Sequence, residues 1–140
     1  MTFAEIKKRA FAGQKAIENS SNPRILVGAA TCGQAAGANA LIKAISATLE
    51  GQNLQASITR VGCIGLCYAE PIVNVVKPGY PHVYYGNVTA EIAPQLILDY
   101  LVDNNPRADL ALGTVGNGAI KGIPKFFDSP MAMICTPWQI

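Results

Sequence analysis

The stretch from Pro23 to Val61 constrains the fold more than any other part of the chain. Arg24-Ile25-Leu26-Val27-Gly28-Ala29-Ala30 is a short apolar run bounded by a proline and by glycines, the pattern of a buried strand. Gly33 to Gly37 turns into a helix whose Ala38, Leu41, Ile42, Ile45 and Leu49 fall on one face, with Gly51 placed to end it. Gln55 to Val61 then partly alternates, as a second strand does. If the two strands are parallel neighbours, the loops at their C-terminal ends leave the sheet on the same side.

The flanking segments complete an α/β order. Thr2 with Glu5 three residues later is a capping-box pattern, and Phe3, Ile6, Ala10 and Ile17 predict a helix over residues 3–18, stopped by Asn19-Ser20-Ser21-Asn22-Pro23. Its Lys7-Lys8-Arg9 cluster is a solvated face or a surface that meets a partner. Pro71 to Lys77 and His82 to Tyr85 read as strands joined by the turn Pro78-Gly79-Tyr80-Pro81, hence a hairpin, with Tyr80, Tyr84 and Tyr85 as strand packing. A last helix has Pro94 in its first turn, Leu96, Ile97, Tyr100 and Leu101 on its apolar face, and Asn104-Asn105-Pro106 at its end. This order fits a thioredoxin-like, four-stranded mixed sheet flanked by helices, with an extra N-terminal helix.

Residues 1–106 are therefore expected to form the domain, and residues 107–140 a Gly/Pro-rich, extended tail without sustained periodicity. Phe126, Phe127, Met131, Met133, Ile134 and Trp138 would be a sticky liability in water, so the tail is expected to pack on a partner subunit. Gly113-Thr114-Val115-Gly116-Asn117-Gly118 has no strand before it and no helix after it in this reading, which argues against a phosphate-cradling loop.

Composition sets the class. Half of the 140 residues are apolar, 14% are charged and the formal net charge is +2. Disorder is excluded, and a nucleic-acid surface is not suggested. So little charge on so small a chain points to a subunit that lives in a complex. Lys43 and Asp99 interrupt the best apolar runs, leaving nothing near the ~18–20 residues that a membrane span needs. The N-terminus has Glu5 early and no apolar stretch typical of a secretion signal, so cytoplasmic residence is expected. Cysteines in that compartment serve as ligands or redox groups more often than as disulfides.

Three of the four cysteines are placed to act together. Cys32 follows the first strand, and Cys63-Ile64-Gly65-Leu66-Cys67 follows the second. Converging thiolates hold an iron–sulfur cluster or zinc, and Gly33, Gly62 and Gly65 let backbone amides approach the sulfur. Other readings stay open at this point: ordinary buried thiols, a zinc site, or a thiol–disulfide enzyme, although the last favours a narrower cysteine pair at a helix start. Glu70 reads as a solvated loop charge, with a supporting role at the site as the alternative.

The runs Val27-Gly28-Ala29-Ala30-Thr31-Cys32-Gly33-Gln34-Ala35-Ala36-Gly37-Ala38, Gly62-Cys63-Ile64-Gly65-Leu66-Cys67-Tyr68-Ala69-Glu70-Pro71 and Tyr85-Gly86-Asn87-Val88 carry a family resemblance. Together they resemble the thioredoxin-like [2Fe-2S] ferredoxin module at the N-terminus of NADH-binding flavoprotein subunits, in complex-I-like NADH dehydrogenases and electron-bifurcating hydrogenases. The resemblance covers residues 1 to about 106 and continues weakly through Gly122-Ile123-Pro124. It implies a [2Fe-2S] cluster held by Cys32, Cys63 and Cys67. It also implies partners: a flavin- and NAD(H)-binding subunit and other iron–sulfur subunits of an oxidoreductase complex. The family's pattern is two cysteine pairs, with four and then three residues between partners. The position of its first cysteine is Val27 here, as in a three-cysteine branch. The fourth ligand is then unassigned; Cys135, His82 and a backbone or exogenous group are the candidates. The family's flavin domain is not part of these 140 residues, so no flavin or NAD is assigned to this chain. The function implied is electron transfer within an NAD-linked flavin and iron–sulfur oxidoreductase, without catalysis by this chain alone. The alternative is a cluster-free assembly subunit that uses the same fold for docking.

Overall fold

A computed structural model describes residues 1–127 of the chain. Helix α1 (Phe3–Glu18) opens with the expected capping box: the Glu5 amide donates to Thr2 Oγ1 at 3.3 Å, and the Thr2 amide donates to Glu5 Oε2 at 2.6 Å. Strand β1 (Arg24–Gly28), the short helix α2 (Thr31–Ala35), α3 (Ala38–Gly51) and β2 (Ser57–Val61) come next. A single 3-10 turn, Cys67–Ala69, precedes β3 (Val73–Val76) and β4 (His82–Tyr85). The described chain closes with α4 (Ala93–Leu101), which has Pro94 in its first turn, then β5 (Ala111–Val115) and β6 (Lys125–Phe127).

The sheet order is β2-β1-β3-β4-β5-β6. β1 and β2 run parallel, with Gly28 opposite Val61, and the β3–β4 hairpin forms as expected. Alternation along these strands sorts the side chains into two faces. Ile25 and Val27 of β1, Val73 and Val75 of β3, and Val83 and Tyr85 of β4 meet Leu41 and Ile45 of α3 and Leu96 and Ile97 of α4 in the main core. Leu41→Ala there would cost about 2–5 kcal/mol, since the side chain is wholly buried among these neighbours. A smaller cluster, Ala69, Ile72, Tyr84 and Val115, lies on the opposite face.

The four expected strands are all present, but among the described residues the sheet has six. Ala111–Val115 pairs antiparallel with β4, and Lys125–Phe127 pairs parallel with β5, so residues read as an extended tail without periodicity add to the sheet. The physical reason is a contact between distant residues. A Cβ at Gly113 would stand 2.4 Å from the Phe126 ring, so the glycine leaves the space that the ring fills. The Thr114 amide donates to Pro124 O at 2.8 Å and closes the pairing. A strand thus does precede Gly116-Asn117-Gly118, but among the described residues the helix that a phosphate-cradling loop opens does not follow it. Met131, Met133, Ile134, Cys135 and Trp138 lie outside the described residues.

On α1, Phe3, Ile6, Phe11 and Ile17 are all at least half exposed. Among the described residues no helix is long and apolar enough to cross a membrane.

Candidate metal centre

Two hydrogen bonds tie down the chain where β1 leaves the sheet. The Gly28 amide donates to Ile72 O and the Ala29 amide to Val61 O, each at 2.9 Å. From this rim the chain turns into α2, which carries Cys32 in its first turn. Beyond Val61 it forms the loop of Cys63 and Cys67. Gly65 has φ +90°, a left-handed conformation that a glycine adopts without strain, and its amide turns back to donate to Cys63 Sγ at 3.2 Å. Cys63 Sγ and Cys67 Sγ stand 3.4 Å apart, and the three Sγ atoms all lie within 4.8 Å of one another.

The sequence-predicted cysteines therefore converge at the strand ends. Cys32 is half-buried, while Cys63 and Cys67 are exposed, which argues against the alternative of ordinary buried thiols. Their protonation is set by one another. The Gly65 amide, then Cys67 and Cys32, hold the Cys63 thiol below its ordinary range. Hydrogen bonding and charge from Cys63 and Cys32 push Cys67 up to about 11. Three thiolates this close repel, so the fully ionised set needs a cation among the sulfurs.

Of the candidates for a fourth ligand, His82 is placed elsewhere. It opens β4 opposite Val115, whereas Tyr85 at the other end of β4 reaches the rim through Val73 and Val27. Burial and nearby Arg24 hold the imidazole below its ordinary pKa. Cys135 lies outside the described residues. Val27 is wholly buried, with its side chain in the main core.

Glu70 departs most from the sequence reading. It is 7% exposed, so it is not a solvated loop charge. Oε2 accepts the Ile72 amide at 2.8 Å, and Oε1 accepts from Cys32 Sγ at 3.9 Å. Two glycines make room for it. A Cβ at Gly28 would meet Glu70 Oε2 at 2.7 Å, and one at Gly33 would meet Gly28 O at 2.2 Å. Those glycines, ending β1 and lying within α2, were the signal in the sequence, but their significance depends on a carboxylate about forty residues away. The Tyr85-Gly86-Asn87-Val88 run supports the same loop: the Asn87 amide donates to Ala69 O at 2.7 Å and the Val88 amide to Pro71 O at 3.1 Å.

The architecture and the chain both have known counterparts. No protein-family model matches the sequence. The NADP-reducing hydrogenase subunit HndB of Solidesulfovibrio fructosivorans is 30% identical over 101 residues, covering 71% of this chain and 79% of that subunit. A thioredoxin-like [2Fe-2S] ferredoxin from Aquifex aeolicus superposes with a TM-score of 0.58 at 18% identity, over 74% of this chain and 99% of that one. A structure of the wild-type thioredoxin-like [2Fe-2S] ferredoxin from Aquifex aeolicus gives a TM-score of 0.58 at 20% identity, over 67% of this chain and 99% of that one. The fold of the present chain is thus the thioredoxin-like ferredoxin fold.

Proposed function

This chain belongs to the family of the NADP-reducing hydrogenase subunit HndB, and from that premise we propose that it is an electron-transfer subunit carrying a [2Fe-2S] cluster. The observation that carries the reading is the convergence of Cys32 from α2 and of Cys63 and Cys67 from the chain after β2 onto one rim, all three Sγ atoms within 4.8 Å. The donor set suits the group. Two sulfurs on one tetrahedral metal with bonds of ~2.3 Å lie ~3.8 Å apart, and Cys63 and Cys67 stand at 3.4 Å. Structural zinc is the poorer fit, because its usual cysteine knuckle is narrower and this domain already builds a core around Ile25, Leu41, Val83 and Leu96.

The bound cluster would supply one-electron transfer. The chain's own residues hold it and tune it: three thiolates ligate, and the Gly65 amide donates to Cys63 sulfur, which favours the more oxidising range. Ile64 and Tyr68 are exposed beside the thiols and offer apolar contact to a partner that must come close to exchange electrons. We place that partner among the flavin- and NAD(H)-binding and iron–sulfur subunits of a cytoplasmic oxidoreductase complex. The apolar C-terminal residues, preceded by exposed Phe126 and Phe127, are assigned to contact within it.

Iron and acid-labile sulfide analysis of anaerobically purified protein tests the reading, with electron paramagnetic resonance after reduction. About two irons and two sulfides per chain are expected, with loss of the chromophore in Cys63→Ser. Unchanged iron in that variant would refute the ligand assignment. A second reading, a cluster-free docking subunit, is favoured by Val27, whose buried side chain supplies no thiolate. A chain without iron or sulfide after strictly oxygen-free handling would select it.

A further inference from the structure

The three cysteines come from two segments, α2 and the chain after β2, and have different neighbours. Cys63 and Cys67 form a close pair at 3.4 Å, whereas Cys32, in α2, faces Glu70 Oε1 at 3.9 Å. A thiolate and a carboxylate oxygen sharing one tetrahedral metal, with bonds of ~2.3 and ~2.0 Å, lie ~3.5 Å apart. Glu70 is 7% exposed, and among the described residues no lysine, arginine or histidine pairs with it; its partners are the Ile72 amide and the Cys32 thiol. A carboxylate so far out of water without a cation is costly, and buried charges are ordinarily paired or bound to metal. Gly28 and Gly33 keep open the space that the carboxylate occupies. Cys63 and Glu70 also line the same groove of about 550 Å³ on the sheet face away from α3 and α4.

Resting on the cluster reading above, we infer that Glu70 is the fourth ligand, its carboxylate oxygen joining Cys32 on one iron while Cys63 and Cys67 hold the other. Glutamate supplies one negative charge, as the thiolate missing at Val27 would, so the ligand set keeps the charge of four thiolates. Oxygen ligation at one end makes the two irons chemically unequal.

The test uses the full chain purified without oxygen, enriched in ⁵⁷Fe. Mössbauer spectra of the oxidised wild type are expected to show two ferric doublets of distinct isomer shift, one for each iron. In Glu70→Gln, which keeps the side-chain shape and an acceptor for the Ile72 amide, cluster content is expected to fall about tenfold or more. The cluster that remains should show altered absorption and resonance g-values. A single wild-type doublet from equivalent irons overturns the assignment without recourse to any variant, so a misfolded variant leaves the test intact. A Glu70→Gln protein with wild-type iron, sulfide and spectra also overturns it. In both cases the cluster is present, and only Glu70 loses its role. Wild-type protein lacking iron and sulfide overturns the cluster reading and this inference together.

Discussion

The contact between Gly28 and Glu70 allows a quantitative test of how the rim is packed. In Gly28→Ala the new Cβ would stand 2.7 Å from Glu70 Oε2 and 2.9 Å from Oε1, closer than carbon and oxygen tolerate. Relief requires the carboxylate to move, and moving it weakens the bond from the Ile72 amide, which now measures 2.8 Å. A hydrogen bond to a charged group contributes about 1.5–3 kcal/mol, and overpacking typically costs about 1–3 kcal/mol. These are two descriptions of one displacement, so a loss of about 1–3 kcal/mol is expected. With an unfolding entropy near 2.1 cal/mol/K per residue, a chain of 140 residues loses about 3 °C of Tm per kcal/mol, hence about 3–10 °C. Thermal and urea unfolding of the metal-free protein measure this. The discriminating experiment is the double-mutant cycle with Glu70→Ala, which removes the colliding atoms: the cost of Gly28→Ala should then largely disappear. Gly33→Ala is the control, because its Cβ would meet the Gly28 carbonyl oxygen at 2.2 Å and backbone cannot swing away. Its destabilisation should persist in the Glu70→Ala background. Equal costs for Gly28→Ala with and without Glu70 would refute the steric argument.

Two further outcomes probe the scaffold away from the rim. Tyr85→Phe should lower stability by about 0.5–1.5 kcal/mol in urea, since the Tyr85 hydroxyl donates to Pro106 O at 2.7 Å and thereby ties the segment after α4 to the sheet. His82 is held below its ordinary pKa of 6.5 by burial and by Arg24, so the unfolded chain binds the proton more readily than the folded one. Its contribution is complete above pH 6.5 and is lost as pH falls through the folded-state value. Urea midpoints of the wild type should therefore fall between about pH 7.5 and 5.5 more steeply than those of His82→Gln, and parallel slopes would count against the mechanism.

The local signals in the chain were sufficient for the elements that local physics controls. Thr2 and Glu5 cap α1, Pro94 lies in the first turn of α4, and the Pro78–Pro81 turn joins β3 to β4. The parallel pairing of β1 and β2 carried Cys32, Cys63 and Cys67 to one end of the sheet, so the site was legible from strand order and cysteine position together. The misreadings share one cause. Gly113-Thr114-Val115 reads as part of a glycine-rich stretch, whereas in the fold Phe126 fills the space above Gly113 and β6 pairs with β5. His82, a candidate ligand whose hairpin position already argued for a pairing role, opens β4 at the end away from the rim.

Sequence alone determined the order α1, β1, α3, β2, β3, β4, α4 and the presence of three thiols after two of those strands, because caps, turns and periodicity act within a few residues. Tertiary structure decided which side chains leave water and which face the thiols. Glu70 is the clearest case: a carboxylate in a loop is a solvated charge unless two glycines from another segment open a place for it beside Cys32. Desolvation depends on neighbours in space, and those neighbours are specified only when the chain has folded.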